Sequence, residues 1–420
     1  MRRIFAPATA AAIFAAVAPL ASSPPAHAQQ APAPAAAPAA PAAWTDTLKF
    51  SGYLEAGITG NFDAPSDGIN FGHLFTDRAN SPLLNQFSLI AERPLDPKAT
   101  GYDFGFRLQG MYGSDARFTH FLGELDRTVR SREQFDIVEA NLQAHLPLLT
   151  EGGIDVKLGQ YVTLEGAEVI DPRGDYLYSH SYIFNFGIPF KHTGLMTVTH
   201  VSPLLDLYVG VDTGVNTSLG HDGDNNDGAA FHGGVGLNLM DGNLTVLATT
   251  HIGPENPRTT PIRNDLRYLN DITVTWKVSD KLTSITDINY IHDDGLHASG
   301  GGVAQYAVYN LSDLFALVGR AEVFRDDQGA FVAKFPSSFD FINAEKGLPN
   351  GAVSGGKTTY GAITLGVNFK PSGVPKAFDG FVIRPEIRYD QALETNGTKP
   401  FNAGTSDHQF TIAADFILPF

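Results

Sequence analysis

From Leu48 onward the side chains alternate in character with a period of two. In 379–391, Phe381, Ile383, Pro385, Ile387 and Tyr389 fall on one side, and Arg384, Glu386, Arg388 and Asp390 on the other. A β-strand sends successive side chains to opposite faces, so this segment carries one apolar face and one face with four charges. The phase recurs in 101–113, where Tyr102, Phe104, Phe106, Leu108 and Tyr112 oppose Asp103, Arg107 and Gln109. In 203–214, Leu205, Leu207, Val209 and Val211 oppose Asp206, Tyr208 and Asp212.

Sixteen such segments are expected: 48–62, 84–95, 101–113, 133–146, 153–162, 193–201, 203–214, 230–239, 242–252, 267–278, 281–292, 302–311, 314–326, 358–369, 379–391 and 406–420. Most run about 10 to 13 residues, longer than globular strands and matched to the 9–11 tilted residues that cross a bilayer. Connections after odd-numbered segments are long: 63–83, 114–132, 163–192, 215–229, 253–266, 293–301, 327–357 and 392–405. Those after even-numbered segments are short, roughly 4 residues against roughly 19, the parity of a barrel with short periplasmic turns and long outer loops. Backbone groups in hydrocarbon need internal partners, and a closed sheet supplies them without an edge. The expected fold is therefore all-β: a transmembrane antiparallel up-and-down barrel of about sixteen strands, wide enough for an aqueous lumen. Pro385 lacks a ladder donor, so a bulge or a displaced strand boundary is expected there.

The N-terminus points the same way. Arg2 and Arg3, an Ala-rich apolar run from Ile4 to Leu20, and Ala26-His27-Ala28 before Gln29 make residues 1–28 an expected secretory signal peptide. Residues 29–47, rich in Ala and Pro, are an expected extended linker, and 48–420 the barrel. The apolar alternation ends on Phe420. The chain holds no Cys, which removes thiolate metal sites and thiol nucleophiles. A net charge of −16 without a basic patch argues against nucleic acid as a partner.

Several stretches resemble the β-barrel porin type two family, the OmpL-like barrels. They are Ser51-Gly52-Tyr53-Leu54-Glu55, Asn85-Gln86-Phe87-Ser88-Leu89 with Ala91-Glu92, and Gly159-Gln160-Tyr161 with Gly166-Ala167-Glu168-Val169-Ile170. Tyr178-Ser179-His180-Ser181 and Pro189-Phe190-Lys191-His192-Thr193-Gly194 complete the set. The resemblance covers most of 48–420. It implies a bacterial outer-membrane barrel in contact with lipid, with no catalytic residues. The terminal Phe420 resembles the signal taken up by the outer-membrane assembly machinery. Trimers are common among sixteen-stranded porins, so a homotrimer is the assembly to test.

The charged residues of the polar phase are the expected pore lining: Arg107, Glu139, Lys157, Asp206, Asp212, Asp271, Asp287, Arg320, Glu322, Arg384, Glu386, Arg388 and Asp390. The alternative for 384–390 is mutual neutralisation as a ladder. The third long connection, 163–192, carries Glu165, Glu168, Asp171, Arg173 and Asp175. In porins the third loop commonly folds inward, and acids there favour cations. The alternative is a loop lying over the mouth or at a subunit contact.

His221–Gly228 has acids at alternate positions, but its Gly falls one place late and Gly233 stands where a calcium loop needs Glu, so a solvated turn is expected. The 13 His are scattered with no helical metal spacing, and neither a metal nor a cofactor is expected. His251, His292 and Asp294 lie near strand ends without a matching nucleophile, so no enzymatic activity is expected. The leading expectation is a porin for small hydrophilic solutes or ions. The alternative is a surface receptor or adhesin using the long outer loops, 327–357 above all.

Overall fold

The computed structural model describes residues 47–420. The expected signal peptide, 1–28, and the linker up to residue 46 lie outside the described residues. Within them, sixteen long strands close into one antiparallel barrel. They are β1 Lys49–Asn61, β2 Pro82–Arg93, β3 Asp103–Gly113, β4 Gln134–Leu146, β5 Ile154–Val162 and β6 Lys191–Ser202. Next come β7 Leu205–Asp212, β8 Ala230–Leu239, β9 Leu244–Pro254, β10 Leu266–Lys277, β11 Leu282–Asp293, β12 Ala298–Asn310 and β13 Phe315–Asp326. A two-stranded ribbon, β14 Ala333–Lys334 with β15 Val353–Ser354, stands apart. The barrel resumes with β16 Thr358–Phe369, β17 Val382–Thr395 and β18 His408–Pro419. Each barrel strand pairs with its neighbours in sequence, and β1 closes on β18 from Tyr53 opposite Pro419 to Asn61 opposite Thr411. Phe420 completes the seam: its backbone exchanges both hydrogen bonds with Gly52, and its ring stacks on Phe87.

Burial runs opposite to that of a soluble sandwich. Ile363 and Leu365 are 58% and 54% exposed, while Arg388 and Asp390, on the alternate phase, are 1% and 0% exposed. An outward apolar belt around an inward charged face is stable only when the outside is hydrocarbon. Tyr268, Tyr290 and His292 stand on the outward phase near the ends of β10 and β11, as amphipathic rings do at a membrane interface.

Three local expectations need correction. The connection expected over 293–301 is a tight turn, 294–297, because β11 and β12 extend their pairing to Asp293 opposite Ala298. The periplasmic connection 370–381 is longer than its class and includes a short 3-10 turn at Lys376–Phe378. Pro385 sits neither in a bulge nor at a boundary. It faces Ala414 in register on β18, and toward β16 the pairing skips from Gly366–Glu386 to Phe369–Ile383 without a shift. The missing donor is absorbed by omitting ladder bonds rather than by inserting a residue.

The outer end is filled. Phe71, Leu74 and Phe75 from the first outer loop, Phe118 from helix α1 (Ala116–Thr119), and Tyr182, Phe184 and Phe190 from the third loop share one hydrophobic cluster. Val332 from the loop after β13 joins them, and Phe341 of helix α2 (Asp340–Glu345) packs against the cluster. Tyr306, Phe324 and Tyr360 are among the barrel-wall residues that join it.

Candidate functional site

The third outer loop, 163–190, enters the lumen and crosses it. Its entering and leaving stems are tied to β10 and β11. The Gly166 amide donates to Asp271 at 3.0 Å, the Ala167 amide to Asp287 at 3.0 Å, and Asn289 donates to the Gly187 carbonyl at 2.8 Å. Its middle is held by the far wall. Glu386 accepts from the amides of Tyr178 and Ser179, and Glu322 from the amide of Tyr182 at 2.7 Å. Arg320 binds the Ser179 carbonyl, Arg388 the His180 carbonyl, and Arg384 the carbonyls of Pro172 and Asp175. Charged wall groups thus satisfy backbone donors and acceptors that the irregular loop cannot pair with itself, and burial would otherwise make those groups costly.

The wall also makes room. A Cβ at Gly57 would lie 2.6 Å from the Tyr178 ring, and one at Gly366 would lie 2.6 Å from Leu177. A side chain at either position would displace the loop.

The guanidinium groups serve two purposes at once. Arg320 pairs with Glu168 of the loop at 2.6 Å and with Glu322 of the wall at 3.1 Å. Arg388 pairs with Asp390 at 2.8 Å and Glu322 at 3.3 Å, and Arg384 with Asp415 at 2.5 Å and Glu55 at 3.1 Å. Within 384–390 only Arg388 and Asp390 pair with each other; Arg384 pairs with Glu55 and Asp415 of other strands, and Glu386 accepts from loop amides instead of an arginine.

The loop acids are mostly committed. Burial works against the charge on Glu168, yet Arg320 and His180 hold its carboxyl well below the usual range. Asp171 pairs with Arg173, whose guanidinium lies 4.5 Å from the centre of the Tyr53 ring. Asp175 accepts from the Val169 amide. Burial pushes the Glu165 carboxyl up to about 8.

The remaining residues of the expected lining are also inward but lie away from the inserted loop's far wall. Arg107 joins Glu92 and Glu139, the latter at 2.7 Å. Lys157 is half-buried, 5.8 Å from the Tyr161 ring. Asp206 meets His200 at 2.7 Å, and Asp212 sits among histidines. The sequence reading missed Glu55, Asp415, Asp136 with Lys191 at 2.6 Å, and the bidentate Arg117–Asp77 pair of the outer loops. Strand phase was available for Glu55 and Asp415. No pattern marks a pair between two loops.

A family model described as "Putative beta-barrel porin-2, OmpL-like" matches residues 47–420. The chain belongs to that porin family. It is a bacterial outer-membrane barrel of the channel-forming kind. The stretches that carried the resemblance are loop anchors in this porin. The Tyr178 hydroxyl donates to Asn85 at 2.9 Å, Gln86 donates to the Ile170 carbonyl at 2.8 Å, and the Tyr53 hydroxyl donates to Gln86 at 2.8 Å. No curated protein matches the porin in sequence.

Solved structures show the same fold. The porin is similar to the outer-membrane channel DcaP of Acinetobacter baumannii, with a TM-score of 0.53 and 11% identity over 89% of this chain and 97% of that one. It is similar to an anion-selective porin from Comamonas acidovorans, with a TM-score of 0.55 and 10% identity over 89% and 99%. Pseudomonas putida OprB gives a TM-score of 0.50 and 13% identity over 90% and 95%.

Asp115 joins the loops to the wall and yields a pH prediction. It accepts from Asn85, Gln86 and Ser114, and burial pushes its carboxyl up to about 7 despite those bonds and Arg117. A carboxyl raised above its unfolded value near 4 binds its proton more tightly when folded. Its contribution to stability therefore falls as pH rises from about 4 to about 7 and is level above. Asp115→Asn is expected to remove that slope. Thermal unfolding of both proteins across this range checks it: a wild-type-minus-variant difference that is flat with pH would contradict the assignment.

The 221–228 stretch folds as a turn, but not a solvated one throughout: Asn225 and Asn226 are buried and donate to the Glu255 and Pro254 carbonyls. Asp224 accepts from the amides of Asn226 and Asp227, and Asn226 from that of Gly228.

Proposed function

We propose that this porin passes small hydrophilic solutes and ions along a lumen narrowed by residues 163–190. The observation that carries the reading is the loop itself, which leaves β5, is held by wall charges of β10, β11, β13 and β17, and returns to β6 across the barrel. Below it, Gln143, Lys157, Tyr208, Thr273 and Thr275 of the inward phase are half-exposed, a polar lining for a water path. A cavity of about 1120 Å³ lies at the periplasmic turns, bordered by Asp96, Lys98, Glu151, Asp155 and Asp206 with His145 and His200.

That rim carries more acids than fixed cations. With Glu168 and Asp171 paired to arginines, Asp175 bonded to the Val169 amide and burial pushing the Glu165 carboxyl up to about 8, a weak cation preference rests on this vestibule rather than on the loop acids. Single-channel recording in a planar bilayer under a salt gradient is expected to give small discrete steps and a reversal potential of cationic sign. Asp155→Asn with Asp206→Asn is expected to shift that potential toward zero. An anionic reversal potential in the wild type would overturn the charge assignment, and folded protein without steps would overturn the channel.

Phe420 is proposed as the contact for the assembly machinery, consistent with its ring standing exposed at the periplasmic end of the seam. A second reading, a surface receptor, draws on the loop 327–357, where Leu348 and Val353 stand exposed on a segment with its own ribbon and helix. Deleting 347–352 would then abolish ligand capture and leave conductance unchanged.

A further inference from the structure

Four adjacent strands bring His192 (β6), Asp212 (β7), His232 (β8) and His251 (β9) to one point on the inner wall. None is more than 3% exposed. Register places them there: His232 faces His251 across β8–β9 and Gly210 across β7–β8, and Asp212 faces Gly194, two residues from His192. The His192 and His251 ring centres lie 4.8 Å apart, and those of His192 and His232 4.7 Å.

The hydrogen-bond account of this cluster is incomplete in an informative way. His251 Nε2 bonds Asp212 Oδ1 at 3.0 Å, and His192 Nε2 bonds the Thr163 hydroxyl at 3.1 Å. His192 Nδ1, Asp212 Oδ2 and both ring nitrogens of His232 have no hydrogen-bond partner, although all are buried. Buried polar atoms are rarely left so, and each costs about 1–3 kcal/mol. The unpaired atoms also converge. His192 Nδ1 is 3.4 Å and His232 Nδ1 3.8 Å from Asp212 Oδ2, and one donor atom from each residue falls within 4.8 Å of the others. Tetrahedral bonds of 2.0–2.1 Å put neighbouring ligand atoms about 3.3 Å apart, so a small inward movement closes the set on one ion.

We propose that His192, Asp212 and His232 bind a first-row divalent transition-metal ion of the zinc class. Imidazole nitrogens select this class over calcium and magnesium, which take oxygen ligands. The outer contacts suit the role. Thr163, accepting from His192 Nε2–H, leaves the Nδ1 lone pair free for the ion, and His251 orients Asp212. Thr163 begins the lumen loop, so the ion would tie β6, β7 and β8 to the root of the constriction. The site does not depend on the channel reading, since metal uptake is read without conduction.

The test uses refolded protein, stripped with a chelator and dialysed against zinc chloride alone, with folding read from heat-modifiable mobility. One zinc per chain is expected by elemental analysis, and cobalt(II) in its place should show visible d–d absorption. His232→Ala and, as a second variant, Asp212→Asn should each lose the zinc while remaining folded. Thr163→Ala should weaken binding by about 10–100-fold. His408→Ala, on β18 far along the barrel wall, should keep one zinc. Folded wild type without zinc, folded His232→Ala or Asp212→Asn with full zinc, or displacement of zinc by equimolar calcium would each overturn the proposal.

Discussion

Replacing residues 167–186 with a short Gly/Ser linker is expected to raise single-channel conductance several-fold. The excised stretch crosses the lumen and meets β13, β16, β17 and β1 through Glu168, Leu177, Tyr178, Ser179 and His180. The cut is geometrically mild. Gly166 is anchored on Asp271 and Gly187 on Asn289, and these two residues face each other across β10–β11. A short linker therefore rejoins two ends that already lie side by side. The barrel ladder runs through none of the removed residues, so closure of β1 on β18 is unaffected. The wall charges left behind enter water instead of a dry interior, which avoids the penalty of an unpaired buried charge. Conductance equal to wild type, with the variant folded, would show that the loop does not limit the path.

The second large effect concerns Arg388. Its guanidinium lies within 3.3 Å of both Glu322 and Asp390, donates to the His180 carbonyl at 2.7 Å, and sits 5.3 Å from the centre of the Tyr182 ring. Arg388→Met keeps much of the volume but leaves two buried carboxylates short of a partner. Breaking a buried pair from one side typically costs about 3–5 kcal/mol. The variant should unfold at a clearly lower temperature by heat-modifiable mobility. Adding Asp390→Asn should recover part of the loss, because the second change removes one of the orphaned charges. A single variant as stable as wild type would mean that water already screens this network.

The two effects divide the molecule along the line between local pattern and assembly. All sixteen barrel strands lie where the two-residue alternation placed them, with shifts of a few residues at the ends. Strand phase is a property of neighbouring residues and needs no partner. The inward direction of Arg107, Arg320 and Arg384 follows from the same phase, once strand length and loop parity make the outside hydrocarbon.

What the inward charges do was decided only by tertiary structure. Glu168 and Arg320 meet across 152 residues, and Asp212 and His251 across 39. Nothing near either residue encodes the distance that barrel closure and strand register bring to zero. Sequence alone determined that a charged wall would face inward. The folded barrel decided that this wall grips its own third loop, because an irregular segment drawn into a closed lumen must find its hydrogen-bond partners on the surface that surrounds it.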